Sequence, residues 1–154
     1  MAIVYSVQRT DLTQDDPLEL VQSNFLGGRV RVAHAVYEAS SLASGDDIEM
    51  FALPNKSRIL HGWLAHDALA SSTTLSVGHG AYANSDGTSV AKDVDEFYAA
   101  AASTSAQKVN VANTLALGSG IEVDADQDGY LVTATMGGAA GTGTIELTMI
   151  YVVD

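Results

Sequence analysis

Cysteine is absent from the chain. That excludes disulfide staples, thiolate metal ligands and a cysteine nucleophile. It suits a reducing cytosol, but any protein with an adequate core also does without disulfides, so the compartment stays open. Basic residues are scarce: seven Lys and Arg stand against nineteen Asp and Glu, for a formal net charge of −12. Such a chain repels phosphate backbones, and DNA or RNA binding would need a concentrated basic patch. Arg29 and Arg31 are the densest basic pair and no Lys or Arg follows Lys108, so nucleic acid is not an expected partner. No apolar run approaches the roughly 20 residues that span a bilayer. The opening Met1-Ala2-Ile3-Val4-Tyr5-Ser6-Val7-Gln8-Arg9 lacks the basic and apolar stretches of a signal peptide. Neither a membrane partner nor export by the usual route is expected. Asn55-Lys56-Ser57 fits the N-glycosylation pattern, but without a secretory signal the match carries no weight.

The 154 residues fit one domain. A chain of this size buries roughly 70% of its unfolded surface, enough for ordinary core packing. Residues 1–28 read as an N-terminal arm: a candidate first strand at 3–7, a polar stretch at 10–17, then Leu18, Leu20, Val21 and Phe25 before the breaker pair Gly27-Gly28. Residues 29–154 read as the folded domain. From Arg29 the period is two, with Val30, Val32, His34 and Val36 on one parity and Arg31, Ala33, Ala35 and Tyr37 on the other. That is a strand with one face in a core. Ser44-Gly45-Asp46 is a turn cluster. Ile48, Met50 and Ala52 alternate up to Pro54. Over 57–68, Ile59 and Trp63 fall on one face and Leu60 and Leu64 on the other, the pattern of a strand buried on both sides with Trp63 in the core.

A short strand at 73–77 and a polar turn at 84–88 follow. Asp93, with Glu96 three residues on, forms a variant capping box ahead of Phe97, Tyr98 and four alanines, which predicts one short helix. Strand candidates at 108–117, 120–123, 129–136 and 143–153 are separated by glycine-rich turns. About eight short strands predict an all-β fold, a β-sandwich or jelly roll.

Candidate chemistry is thin. Asp124-Ala125-Asp126-Gln127-Asp128-Gly129 matches the first six positions of a calcium loop, but the bidentate Glu position holds Thr135 and the flanks are strands. Asp124, Asp126 and Asp128 are therefore a weak calcium candidate, and an acidic hairpin turn is the plainer account. His34, His61, His66 and His79 are nowhere two residues apart, and His61 and His66 differ in parity, so no local chelating pair exists. No G-x-S-x-G occurs, and Gly137-Gly138-Ala139-Ala140-Gly141 has no lysine or helix behind it, which leaves a flexible hairpin loop. Asp46-Asp47 and Asp93-Asp95 would need separation across a cleft for glycosidase work. No catalytic constellation emerges, and the expectation is a protein that is not an enzyme and needs no cofactor.

Four segments carry a family resemblance: Gly45-Asp46-Asp47-Ile48, then Leu53-Pro54-Asn55-Lys56-Ser57-Arg58-Ile59-Leu60, then Ser72-Thr73-Thr74-Leu75-Ser76-Val77-Gly78, and finally Phe97-Tyr98-Ala99-Ala100-Ala101. In this order they resemble small structural proteins of tailed bacteriophages, the head decoration and minor virion proteins. The likeness covers about 60 residues, 45–105, and its motifs concern fold only. Where such proteins usually show Gly-Asp after the Leu-Ser-Val strand, this chain has Gly78-His79, and no functional residue carries over. The resemblance implies a capsid decoration (cement) protein, made in the host cytoplasm. It would bind the major capsid protein on the outer head surface as a homo-oligomer, a trimer being favoured. The arm residues Leu18, Leu20, Val21 and Phe25 would then be the capsid or subunit contact. Two rivals stand beside this: a receptor- or carbohydrate-binding module of a fibre or tail using Trp63 or Tyr98, and a small hydrolase that would need His and Asp residues to converge.

Overall fold

The computed structural model describes residues 27–112, 121–126 and 129–153. The strands are β1 (Arg29–Leu42), β2 (Asp47–Leu53), β3 (Arg58–His66), β4 (Thr73–His79), β5 (Tyr82–Ala83), β6 (Ser89–Val90), β7 (Asp93–Ala102), β8 (Gln107–Val111), β9 (Ile121–Glu122), β10 (Tyr130–Gly138) and β11 (Gly141–Val153). Eight of them have five or more residues and three have two, in line with the expected all-β sandwich.

One sheet runs β1-β11-β3-β8, with β9 also on β3; the second runs β2-β10-β4-β7; β5 and β6 form a separate pair. Every pairing is antiparallel. One core lies between the two large sheets: Leu64, Ile145, Leu147 and Met149 come from the first, and Leu75, Val77, Val132 and Met136 from the second. All eight are at most 1% exposed, and burial of such a side chain contributes about 1.5–3 kcal/mol. The turn at Gly45 (φ 92°) carries the chain between the sheets, held by Gly45 N–H donating to the Met136 carbonyl at 2.8 Å.

Three expectations change. The segment 93–102 is a strand, β7, and no helix occurs among the described residues. Its neighbour β4 is buried at six of seven positions, so the backbone groups on both its edges must find partners. β10 satisfies one edge and β7 the other. A ten-residue alanine-rich piece has too little helical stability of its own to resist that demand. Asp93 Oδ1 still accepts the Asp95 N–H, at 3.1 Å, as a local turn contact.

The second change is in β3. Tyr151 pairs with Ile59 but Ile150 with His61, leaving Leu60 as an extra residue. This bulge reverses the alternation. Ile59 joins Leu64 in the core, and Trp63 stands half-buried on the outside of the sheet instead of inside it. The third concerns 137–141, which is no hairpin loop within one sheet. It takes the chain from β10 in one sheet to β11 in the other. Gly138, at φ 76°, lies where a Cβ would collide with the Ser72 carbonyl, so only glycine fits there.

Candidate interaction surface

β1 is an edge strand of fourteen residues, bonded to β11 along one side. Its two parities are not equivalent. Ala33 and Ala35 are half-buried and Ala39 fully buried toward the core, whereas Val30, Val32 and Val36 are 65%, 61% and 55% exposed. Small alanines face inward, and the valines form a stripe on the outer side.

Rows across the sheet follow from the register. Val32 lies beside Ile150 and then His61. His34 lies beside Thr148, Trp63 and Asn110, and Val36 beside Glu146, Ala65 and Lys108. His34 Nδ1 meets Thr148 Oγ1 at 2.8 Å, and Lys108 Nζ sits 4.4 Å from the centre of the Trp63 ring. The surface is thus an apolar stripe at the sheet edge, grading into a cation-covered tryptophan. Lys108 occupies one face of the ring that a sugar would stack on, which weighs against Trp63 as a glycan platform.

Among the described strands the outer edge of β1 has no partner, and it is poorly defended. Natural edges are blunted by proline, lysine, bulges or short length. From Arg29 to Ala39 there is no proline or lysine, and the register with β11 is unbroken until the shift between Ala39 and Leu42. The charges cluster at the two ends, Arg29 and Arg31 against Glu38. This surface was missed in the sequence because alternation alone does not say which parity turns inward.

The other candidates are dispersed. His66 lies in the first sheet, its Nδ1–H donating to the Asp67 carbonyl at 2.7 Å and its Nε2 facing Gln107 Nε2 at 3.2 Å. His79 lies in the second, with Nδ1 on the Gly80 carbonyl at 2.8 Å. It meets Tyr82 edge-on and Tyr130 at a tilt, at ring distances of 5.3 and 5.0 Å, and Phe97 closes the cluster 6.2 Å from Tyr130. Burial, reinforced by Tyr82, Glu96 and Asp93, pushes the Tyr130 hydroxyl far above the ordinary phenol range, so it stays neutral. This is packing, not a reactive dyad.

Asp124 accepts Ser85 Oγ at 2.6 Å and stands 3.8 Å from Lys56 Nζ. Asp128 lies outside the described residues. The segment between β9 and β10 also passes from one sheet to the other, so it is no hairpin turn. Among the described residues no three His, Asp or Glu side chains are grouped to hold a metal. Asp46 Oδ2 accepts the Ala43 N–H at 3.0 Å, and Asp47 pairs with Lys92 at 2.7 Å, so the acidic pair is spent on local structure. Leu18, Leu20, Val21 and Phe25 lie outside the described residues.

The fold is shared with solved viral chains. A chain from the capsid of Ralstonia phage GP4 matches 82% of this chain and 86% of its own length, at 24% identity and a TM-score of 0.60. One from the cyanophage Pam1 capsid asymmetric unit matches 92% and 98%, at 16% identity and a TM-score of 0.62. One from the acidic stable capsid of Helicobacter pylori bacteriophage KHP30 matches 80% and 87%, at 16% identity and a TM-score of 0.50. No family model matches the sequence, and no curated protein does.

Proposed function

We propose that this chain is a structural virion protein, and specifically a decoration (cement) protein on the outer surface of a tailed-phage head. The observation that carries the proposal is the shared fold: it extends over at least four-fifths of this chain and of chains from three phage capsids. A net charge of −12 favours the outside of a particle over its lining, where packaged DNA would repel it.

The partners are the major capsid protein and further copies of this chain, as a trimer. A closed trimer suits three-fold and quasi-three-fold lattice positions, because oligomer symmetry constrains the interface. Many copies on one lattice gain avidity, so modest contacts at each site clamp capsomers together. Leu18, Leu20, Val21 and Phe25 of the arm would make the capsid or subunit contact, and the outward valines of β1 offer a further apolar surface. Apolar area buried there contributes roughly 25 cal/mol per Å². The role needs no cofactor and no chemistry, and assembly takes place on heads in the host cytoplasm.

Immunogold electron microscopy of particles from the producing culture tests this. Gold spread evenly over the heads is the expected result. Gold confined to tails or fibres would replace this proposal with receptor binding, and unlabelled particles that also lack the protein by mass spectrometry would remove the virion role.

A further inference from the structure

We infer that copies of this chain associate head to tail, the β1 rim of one copy lying along the β7 edge of the next, with Arg29 and Arg31 against Asp95 and Glu96. The inference rests on the proposed self-association and names its contact, but it needs no place in a virion.

The charges divide between the sheets. The strands of the second carry Asp47, Glu49, Asp93, Asp95 and Glu96 and no Lys or Arg. Those of the first carry Arg29, Arg31, Arg58 and Lys108. Some of these are matched within the chain: Asp47 pairs with Lys92, and Lys108 lies over Trp63. The charges at the two edges are not. Among the described residues no carboxylate lies within ion-pair distance of Arg29 or Arg31, and no cation within that distance of Asp95 or Glu96. All four are exposed. Each edge thus holds two like charges close together, and an opposite pair brought against them relieves the repulsion.

The two edges stand on opposite sides of the sandwich. β1 ends the first sheet and β2 the second on one side, where the two strands pack together. β7 and β8 end them on the other side, tied by the Ala112 N–H donating to the Phe97 carbonyl at 2.9 Å. A basic rim and an acidic edge so placed cannot meet within one copy. Between copies they make a heterologous contact, which closes into a ring when the rotation allows. A contact of β1 with a second β1 across a two-fold axis would leave Asp95 and Glu96 unmatched.

The rest of each surface follows the same polarity. Beyond Arg31, on the same parity, come the half-buried Ala33 and Ala35 and then Tyr37, which is 37% exposed. Residues 95–101 line a groove of about 420 Å³, acidic at its start and with the small, exposed Ala99 and Ala100 farther along. Laying the arginines against the acids carries Tyr37 toward the alanines, so the two strands run in the same direction. The register of β7 is irregular and its Phe97 carbonyl is already bonded. Side chains, not a continued ladder, therefore make the contact.

Sedimentation velocity of the purified full-length protein over a concentration series tests this. The expected result is an assembled parent whose association R29E/R31E and D95K/E96K each weaken by about tenfold or more. The quadruple variant carrying both swaps should recover most of that loss, because its charges are exchanged and not removed. D95N/E96Q, a milder change, should also weaken assembly. The near-ultraviolet signal of Trp63 checks folding throughout. A parent that stays monomeric at every concentration would overturn the inference. So would unchanged association in D95K/E96K, with a β1-to-β1 contact taking its place where R29E/R31E alone separates the copies. Loss in both swaps without recovery in a folded quadruple variant would remove the pairing. Gold labelling is scored apart from this: labelled heads with a monomeric parent sink this contact alone, and assembly through it without labelled heads sinks the virion role alone.

Discussion

Lys92 Nζ stands 2.7 Å from Asp47 Oδ2, tying the residue before β7 to the first residue of β2, at the other edge of the four-stranded sheet. Thr135 Oγ1 donates to the second Asp47 oxygen, also at 2.7 Å. Burial raises the Asp47 pKa, but the hydrogen bonds from Lys92 and Thr135 and the Lys92 charge outweigh it, and the net shift is downward. A carboxyl with a depressed folded pKa contributes stability above its unfolded value of 3.8, and loses it as pH falls through the folded value. The Lys92 side chain is 41% exposed, so solvent screening holds the pair to about 0.2–1 kcal/mol. Asp47→Asn should lower the unfolding free energy, measured by urea denaturation, by that much near pH 7, and the difference from the parent should shrink as pH falls below 3.8 through the folded value. An undiminished difference at the acid end would mean that the loss comes from packing.

At Gly78 an added Cβ would overlap the Asp93 carbonyl, where β4 and β7 approach at an irregular register. Gly78→Ala should cost about 1–3 kcal/mol through forced displacement of β7. Urea denaturation measures this, with hydrogen exchange expected to rise first in the β7 amides.

Val30→Asp with Val32→Asp alters exposed side chains, so the melting midpoint should move by no more than the equivalent of about 0.5 kcal/mol per site. If the chain decorates heads as proposed, its occupancy of them, measured by co-sedimentation, should fall at least tenfold. Full occupancy would move the contact away from the outer face of β1.

The chain has a single tryptophan, and Lys108 lies over it. Lys108→Ala should increase acrylamide quenching of Trp63 and cost about 0.5–1 kcal/mol. Unchanged quenching would mean that the ammonium does not cover the ring in solution.

Millimolar calcium should leave the melting temperature unchanged, and so should a chelator, because Lys56 already lies beside Asp124. A bound cation would raise the midpoint in proportion to the logarithm of its concentration, a trend visible across a simple titration.

Much of the sandwich was legible from period and punctuation. The alternation of Ile145, Leu147, Met149 and Tyr151 marks the inward face of β11 as far as Met149, before the irregularity at Tyr151, and Ser44-Gly45-Asp46 marks a turn, as the structure has it. What failed were judgements that tertiary context decides. Ala99 to Ala102 favour helix by propensity, yet the buried backbone of β4 recruits them as a strand. Trp63 looked like core until a single extra residue, Leu60, reversed the parity. For β1, spacing showed two faces, but only the volume available against the second sheet selects alanine for the inside. The surface now of most interest was therefore present in the sequence as a pattern without a direction.

The placement of β10 and β11 bears on when the protein can fold. Each lies inside its sheet: β11 between β1 and β3, and β10 between β2 and β4. Both are translated after every other described strand. β1 and β2 thus leave the ribosome with no described partner in the ladder, and neither sheet can close until its middle is supplied. Pairings so distant in sequence form slowly, on the order of milliseconds to seconds. The outer face of β1, β11 and β3 therefore exists only once β11 has been made, and shorter copies of the chain lack that surface altogether.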